Sequence, residues 1–232
     1  MKKFGLIGGT SWHSTVEYYT TINRTINEHY GDNTNPPLRL INLNQKLIHD
    51  YQRADDWDGV AGVFIDAVRE LNSLEVEGMA LCANTPHKVY DRLAEQSTSP
   101  ILHIADSIGS EVEEVGITTV GLLGTRFTMS ENYIKSRLCE HYGIKTLVPS
   151  EEQQELIQKQ IYHELSVGQF TKETKELCLT IVAEMAERGA AAIVLGCTEF
   201  PLLLKEIEMP IPAVDSIACH CRDISRFILE SS

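Results

Sequence analysis

Short runs of branched and other apolar residues alternate along the chain with longer stretches whose apolar positions recur at helical spacing. The short runs predict strands near residues 3–8, 38–43, 78–83, 101–104, 119–123, 145–148, 191–196 and 211–214. The longer stretches predict helices near 13–30, 57–75, 86–96, 107–115, 130–142, 151–167, 172–188, 200–207 and 216–230. Strands and helices in this alternation form parallel sheets covered by helices, an α/β architecture. Two helix starts are marked by their residues: Thr85-Pro86 sets a capping residue before a first-turn proline, and Thr128-Met129-Ser130-Glu131 fits a capping box. Residues 31–37 are polar, aperiodic and contain proline, so they read as a loop.

The chain also repeats itself. Phe4-Gly5-Leu6-Ile7-Gly8-Gly9-Thr10 resembles Val120-Gly121-Leu122-Leu123-Gly124-Thr125 at an offset of 116, and the run ending Ala83-Asn84-Thr85 resembles the run ending Cys197-Thr198-Glu199 at 114. Pro100-Ile101 and Asp106-Ser107 recur as Pro210-Ile211 and Asp215-Ser216, at 110 and 109. Glycine-rich strand ends in any α/β chain explain the first match; three ordered matches argue for two related halves. Related α/β halves place the carboxyl ends of their strands around a crevice, so the loops carrying Ala83 and Cys197 are expected to face one another there.

Composition narrows the field. The 232 residues are 43% hydrophobic and 23% charged, ordinary for folded protein. Twenty basic against thirty-three acidic residues give a net charge of −13, which repels phosphate backbones and argues against nucleic-acid binding. No apolar run approaches the roughly 18–20 residues of a membrane helix, and the start lacks the apolar core of a secretion signal. A cytoplasmic protein with no membrane association is expected. Its six cysteines then read as free thiols.

Cys197 ends an apolar strand and precedes Thr198-Glu199-Phe200-Pro201, where a helix can begin. Backbone N–H groups and a helix start at that turn favour thiolate. A lone cysteine beside a strand is ordinarily inert core. Its position at the strand end, the neighbouring hydroxyl and the matching loop of the other half favour a functional role.

Taken together, Gly5-Leu6-Ile7-Gly8-Gly9-Thr10-Ser11-Trp12, Ala83-Asn84-Thr85-Pro86-His87, Gly121-Leu122-Leu123-Gly124-Thr125 and Leu195-Gly196-Cys197-Thr198-Glu199 resemble the aspartate/glutamate racemase family over nearly the whole chain. The resemblance implies two pseudo-symmetric α/β halves, here 1–105 joined by the C-terminal helix 216–232, and 106–215, with the site in the cleft between them. It implies cofactor-independent racemisation of aspartate or glutamate by two cysteines on opposite faces of Cα, and a homodimer is expected. Without an imine-forming cofactor, the protein must stabilise an enediolate with donors such as Asn84, Thr85, Thr125 and Thr198. Thr128 is counted with this substrate-binding group.

One position departs from the family pattern. Its Cys-Asn-Thr reads Ala83-Asn84-Thr85 here, so a methyl group replaces the first-half thiol. Cys82 is adjacent, but neighbouring strand residues point to opposite faces. A natural one-cysteine enzyme, water or another side chain acting opposite Cys197, and an introduced Cys-to-Ala change all remain open. So do two other functions: a single-cysteine decarboxylase and a catalytically inactive amino-acid-binding protein.

Other candidates are weighed against plainer readings. The spacing G-x-x-G-G in Gly5–Gly9 is neither a dinucleotide fingerprint nor a P-loop; these glycines more simply let backbone approach a substrate, with Thr10 and Ser11 offering hydroxyls. Arg53 and Arg126 are the candidates to grip a side-chain carboxylate, and Glu164 to receive the substrate ammonium, although each also reads as an ordinary surface residue. Cys219-His220-Cys221 lies in a helix where such neighbours share no face, so no metal site is expected. His87 carries more weight, lying in the first turn after Thr85-Pro86, and reads equally as a helix-surface histidine; His13 lies at the start of the first helix, while His29, His49, His103, His141 and His163 belong to no constellation.

Overall fold

A computed structural model describes residues 1–205 and 207–230. Glu206, Ser231 and Ser232, included in the expected helix 200–207 and the C-terminal segment 216–232, lie outside the described residues. The chain divides into two units: unit 1 holds residues 1–104 and 220–232, and unit 2 holds residues 105–219.

Unit 1 is built on a parallel sheet of β1 (Phe4–Gly8), β2 (Leu38–Asn42), β3 (Gly78–Leu81) and β4 (Ile101–Leu102), in the order β2-β1-β3-β4. Its helices are α1 (Trp12–Tyr30), α2 (Gln45–Arg53), α3 (Trp57–Ser73) and α4 (Tyr90–Ala94), the last entered through a 3-10 turn over Thr85–Val89. Strands β1 and β3 are buried along their whole length, as continuous apolar strands in a sheet covered on both faces should be. The core gathers Ile7, Leu81, Phe64, Val68 and Leu71.

Unit 2 repeats the plan. Strands β5 (Thr119–Gly124), β6 (Lys145–Leu147), β7 (Ala192–Gly196) and β8 (Ala213–Asp215) are parallel in the order β6-β5-β7-β8. The accompanying helices are α5 (Ile104–Glu114), α6 (Arg126–Ser130), α7 (Lys135–Tyr142), α8 (Glu151–His163), α9 (Lys172–Glu187) and α10 (Glu199–Leu203). Helix α11 (Ser216–Leu229) starts in unit 2 and, from His220 on, belongs to unit 1.

The strand ladders give the repeat its physical meaning. Leu6 pairs with Ala80 in unit 1 and Leu122 with Val194 in unit 2. These are the offsets of 116 and 114 seen in the sequence. The third match is out of register. Ile101 pairs beside Met79 as Ala213 pairs beside Ile193, so Ala213, two residues beyond Ile211, is its counterpart.

Several local expectations are corrected. Helix α2 falls in a stretch to which no element was assigned, capped by Asn44, whose side chain accepts from the N–H groups of Lys46 and Leu47. The expected capping box at Thr128 is not used: Thr125 caps the short α6, and the expected helix 130–142 breaks before α7 begins at Lys135. Asn84, not Thr85, occupies the cap position of the Thr85–Val89 turn, and no side chain closes it. Helix α8 stops at His163, with a separate 3-10 turn over Leu165–Val167 completing the expected span 151–167.

Candidate active site

The carboxyl end of β1 is shaped by Gly9. Its φ of 88° lies in the left-handed region, and a Cβ there would sit 2.2 Å from the Leu43 carbonyl oxygen. No other residue fits without displacing backbone. Gly9 N–H donates to Thr15 Oγ1 at 2.9 Å, and that hydroxyl donates to the Ser11 carbonyl at 3.0 Å. Ser11 Oγ caps α1 by accepting from Ser14 N–H, while Thr10 is buried at the strand end. His49 of α2 is hydrogen-bonded to the backbone of Thr10, and its pKa is lowered by burial and then by Arg53 one turn away. Sequence offered no signal for His49. Arg53 itself is largely exposed and held by Asp50 at 2.5 Å.

The loop after β3 carries Ala83, Asn84 and Thr85, all buried. His87 organises it. Its Nδ1 lies 3.0 Å from the Ala83 carbonyl oxygen and 3.1 Å from that of Asn84, which assigns the ring proton to Nδ1. Nε2 accepts from Ile104 N–H at 3.3 Å. The His103 ring lies 4.5 Å from it, centroid to centroid, and the His220 ring 6.0 Å. His220 accepts from the Tyr18 hydroxyl at 2.7 Å through Nδ1 and donates to the Leu102 carbonyl at 3.1 Å through Nε2. Burial pushes its pKa down to about 3. Cys82 is buried, and burial drives its thiol far above the ordinary range, which makes it a poor carrier of protons.

In unit 2, hydroxyls line the end of β5. Thr125 Oγ1 and Thr128 Oγ1 are 3.1 Å apart, and Thr128 Oγ1 is 3.1 Å from the Tyr133 hydroxyl, a third member absent from the sequence-derived set. The Arg126 N–H donates to Gln158, and its guanidinium lies 3.6 Å from Glu155. Glu164 takes the hydroxyls of Thr171 and Thr174 at 2.8 and 2.6 Å at the start of α9, and these bonds lower its pKa.

Cys197 stands at the end of β7, half-buried against the core of unit 2. Its Sγ donates to Glu199 Oε2 at 2.8 Å, and Glu199 is only 9% exposed. The N–H groups of Thr198 and Glu199 bond to the same sulfur and favour thiolate, as expected. Burial outweighs them and, with the Glu199 carboxylate, raises the thiol well above its usual range. The expected bias to thiolate is therefore reversed, and α10, five residues long, is too short to restore it.

Residues 7–224 match the family model described as Asp/Glu/Hydantoin racemase. The chain belongs to this family. It is 32% identical to a candidate Asp/Glu racemase of known structure from Yersinia pestis, which covers 99% of this chain and 100% of that one with a TM-score of 0.93. An aspartate racemase homologue from Pyrococcus horikoshii OT3 is 31% identical, with 99% and 100% coverage and a TM-score of 0.85. The broad specificity amino-acid racemase RacX of Bacillus subtilis (strain 168) is 26% identical over 167 residues, 72% of this chain and 71% of RacX. The fold of two parallel four-stranded sheets flanked by helices is the one shared with the two solved structures. Among the described residues no helix is long and apolar enough to cross a membrane, and no three His, Cys, Asp or Glu side chains form a metal-binding group.

Proposed function

We propose that the protein racemises an acidic amino acid, aspartate or glutamate, without a cofactor, and that Cys197 moves the Cα proton. One observation carries the reading: a partly accessible thiol at the end of β7, hydrogen-bonded to a buried carboxylate. Membership in the racemase family and the amino-acid substrates named for its relatives support it.

In this reaction the sulfur takes the proton from Cα, and the electron pair of the broken bond spreads into the substrate carboxylate. The hydroxyls of Thr125 and Thr198 and the amide of Asn84 serve as donors to the enediolate, since hydrogen bonds of this kind strengthen as charge develops. Thr10 and Ser11 contribute to substrate binding, with Thr85 and Thr128 beside them. Arg53, Arg126 and Glu164 are proposed for the substrate's charged groups, each after exchanging its present partner. Because Ala83 has no proton to exchange, return on the other face of Cα falls to a group other than a second thiol.

Incubation with L- and D-aspartate and with L- and D-glutamate in deuterated water tests the reading. Racemisation appears as loss of the Cα–H NMR signal with formation of both enantiomers, and it should survive dialysis against a chelator. Deuterium with retained configuration marks one-sided chemistry. No exchange with any of the four would overturn the proposal in favour of a binding protein, and carbon dioxide released from an α-aryl malonate would favour the decarboxylase.

A further inference from the structure

His87 is buried, not displayed on a helix surface, and the proposed chemistry gives it no part. It is nonetheless joined to the loop that carries Asn84. Its Nδ1 lies 3.0 Å from the Ala83 carbonyl oxygen and 3.1 Å from that of Asn84, and its backbone N–H donates to the same Asn84 oxygen at 3.1 Å. These carbonyls belong to the two planar peptide groups on either side of the Asn84 Cα, so one residue holds both, and with them the direction in which the Asn84 side chain leaves the backbone. A 3-10 turn with no side-chain cap, and with a proline that gives no N–H, needs such support.

The ring is itself anchored. Nε2 accepts from Ile104 N–H at 3.3 Å, and the rings of His103, His220 and Tyr90 stand 4.5, 6.0 and 6.4 Å away, centroid to centroid. Tyr90 is tied in turn to the Ile101 carbonyl oxygen at 3.0 Å. Strands β3 and β4 are neighbours, with Ala80 beside Leu102, so His87 bridges the loops that follow two adjacent strands. A histidine that only filled space would use its bulk. Here both nitrogens are bonded, one toward the loop and one toward α5.

We propose that His87 is a positioning residue: by holding the carbonyls of Ala83 and Asn84 it aims the Asn84 side-chain amide at the enediolate. The inference rests on the reading of Asn84 as an enediolate donor; His87 itself moves no proton. A donor aimed before charge develops needs no reorganisation in the transition state, and one that must first find its place loses that advantage. Loss of the clamp therefore slows proton removal more than it weakens substrate binding.

Two substitutions separate the ring nitrogens. The side-chain nitrogen of Asn stands as far along the chain as Nδ1, and the amide of Gln as far as Nε2. His87→Asn keeps a donor for the two carbonyls, whereas His87→Gln keeps an acceptor for Ile104 N–H and gives up the clamp. In Cα exchange, kcat of His87→Gln should fall about 30-fold or more with KM within about threefold, and kcat of His87→Asn should stay within about fivefold of wild type. Without substrate, the Asn84 side-chain amide should keep its wild-type NMR shifts in His87→Asn and move to those of a freely rotating side chain in His87→Gln.

Equal losses of kcat in the two variants, or the larger loss in His87→Asn, would make His87 a packing residue and overturn the proposal. So would a loss in His87→Gln confined to KM. Should both variants fail to fold, the wild-type ring decides: long-range proton–nitrogen correlation should show the neutral Nδ1–H tautomer, and an Nε2–H tautomer overturns the clamp. Wild type inactive on every amino acid would overturn the proposed function instead. The substrate-free shifts would then decide the hold on Asn84, unchanged shifts in His87→Gln overturning it.

Discussion

Cys197 and Glu199 are two residues apart, yet the thiol of one donates to the carboxylate of the other across 2.8 Å. Burial, with that carboxylate beside it, raises the thiol well above its usual range although two backbone N–H groups bond to the sulfur. Replacing Cys197 by Ser leaves a hydroxyl, which does not yield a proton in the range where a thiol does. Exchange at Cα should fall by about 10²–10⁴-fold. Circular dichroism and the melting temperature should stay close to wild type, because Cys197 is only half-buried. Exchange retained at wild-type level in Cys197→Ser would remove this residue from the chemistry.

Position 83 tests the other half of the reaction. Ala83 is 8% exposed and its carbonyl is fixed by His87. Ala83→Cys puts a thiol where the family pattern has one. The rate of inversion, followed by chiral chromatography, should then rise relative to the rate of Cα exchange, followed by NMR. An unchanged ratio of the two rates would show that position 83 does not set the stereochemical course.

The alternation of strands and helices was legible because buried parallel strands read as continuous apolar runs, and β1, β3, β5 and β7 are such runs. Helix α2 was not, since its buried side consists of Ile48 and Gln52 and a glutamine hides the apolar period. The break before α7 was hidden by a good capping sequence: Thr128 looks like the start of a helix, but its hydroxyl is spent on Thr125 and Tyr133 inside unit 2. The Cys-Thr-Glu triplet stood out by resemblance. Its key contact did not, because a bond between residues two apart needs a turn that no periodicity announces. His49 stayed invisible for a related reason, as its partner Thr10 lies 39 positions away and only folding joins them.

Gly9 offers a prediction on stability. Alanine there would have to hold a φ of 88° and place its methyl 2.2 Å from the Leu43 carbonyl oxygen. The strain alone costs roughly 1–3 kcal/mol, and the overlap with backbone adds to it. The urea midpoint of Gly9→Ala should drop accordingly. An unchanged midpoint would mean that the loop after β1 relaxes freely, which would also weaken the case that it presents Thr10 and Ser11 in a fixed geometry.

The last prediction concerns acid. His220 is buried and neutral, accepting from Tyr18 and donating to Leu102, with a pKa lowered from 6.5 to about 3. In the unfolded chain the same imidazole protonates near its ordinary value, so between about pH 6.5 and 3 the unfolded state binds more protons than the folded one. The sign follows: stability is fully present above the unfolded pKa and is lost as pH falls through this window, by an amount of order 4 kcal/mol across its whole width. His220→Gln keeps an acceptor for Tyr18 and a donor for Leu102 but cannot titrate. Urea unfolding at a series of pH values should therefore show a shallower loss of stability between about pH 6 and 4 in His220→Gln than in wild type. Parallel curves for the two proteins would show that other groups, and not this imidazole, control the acid sensitivity of unit 1.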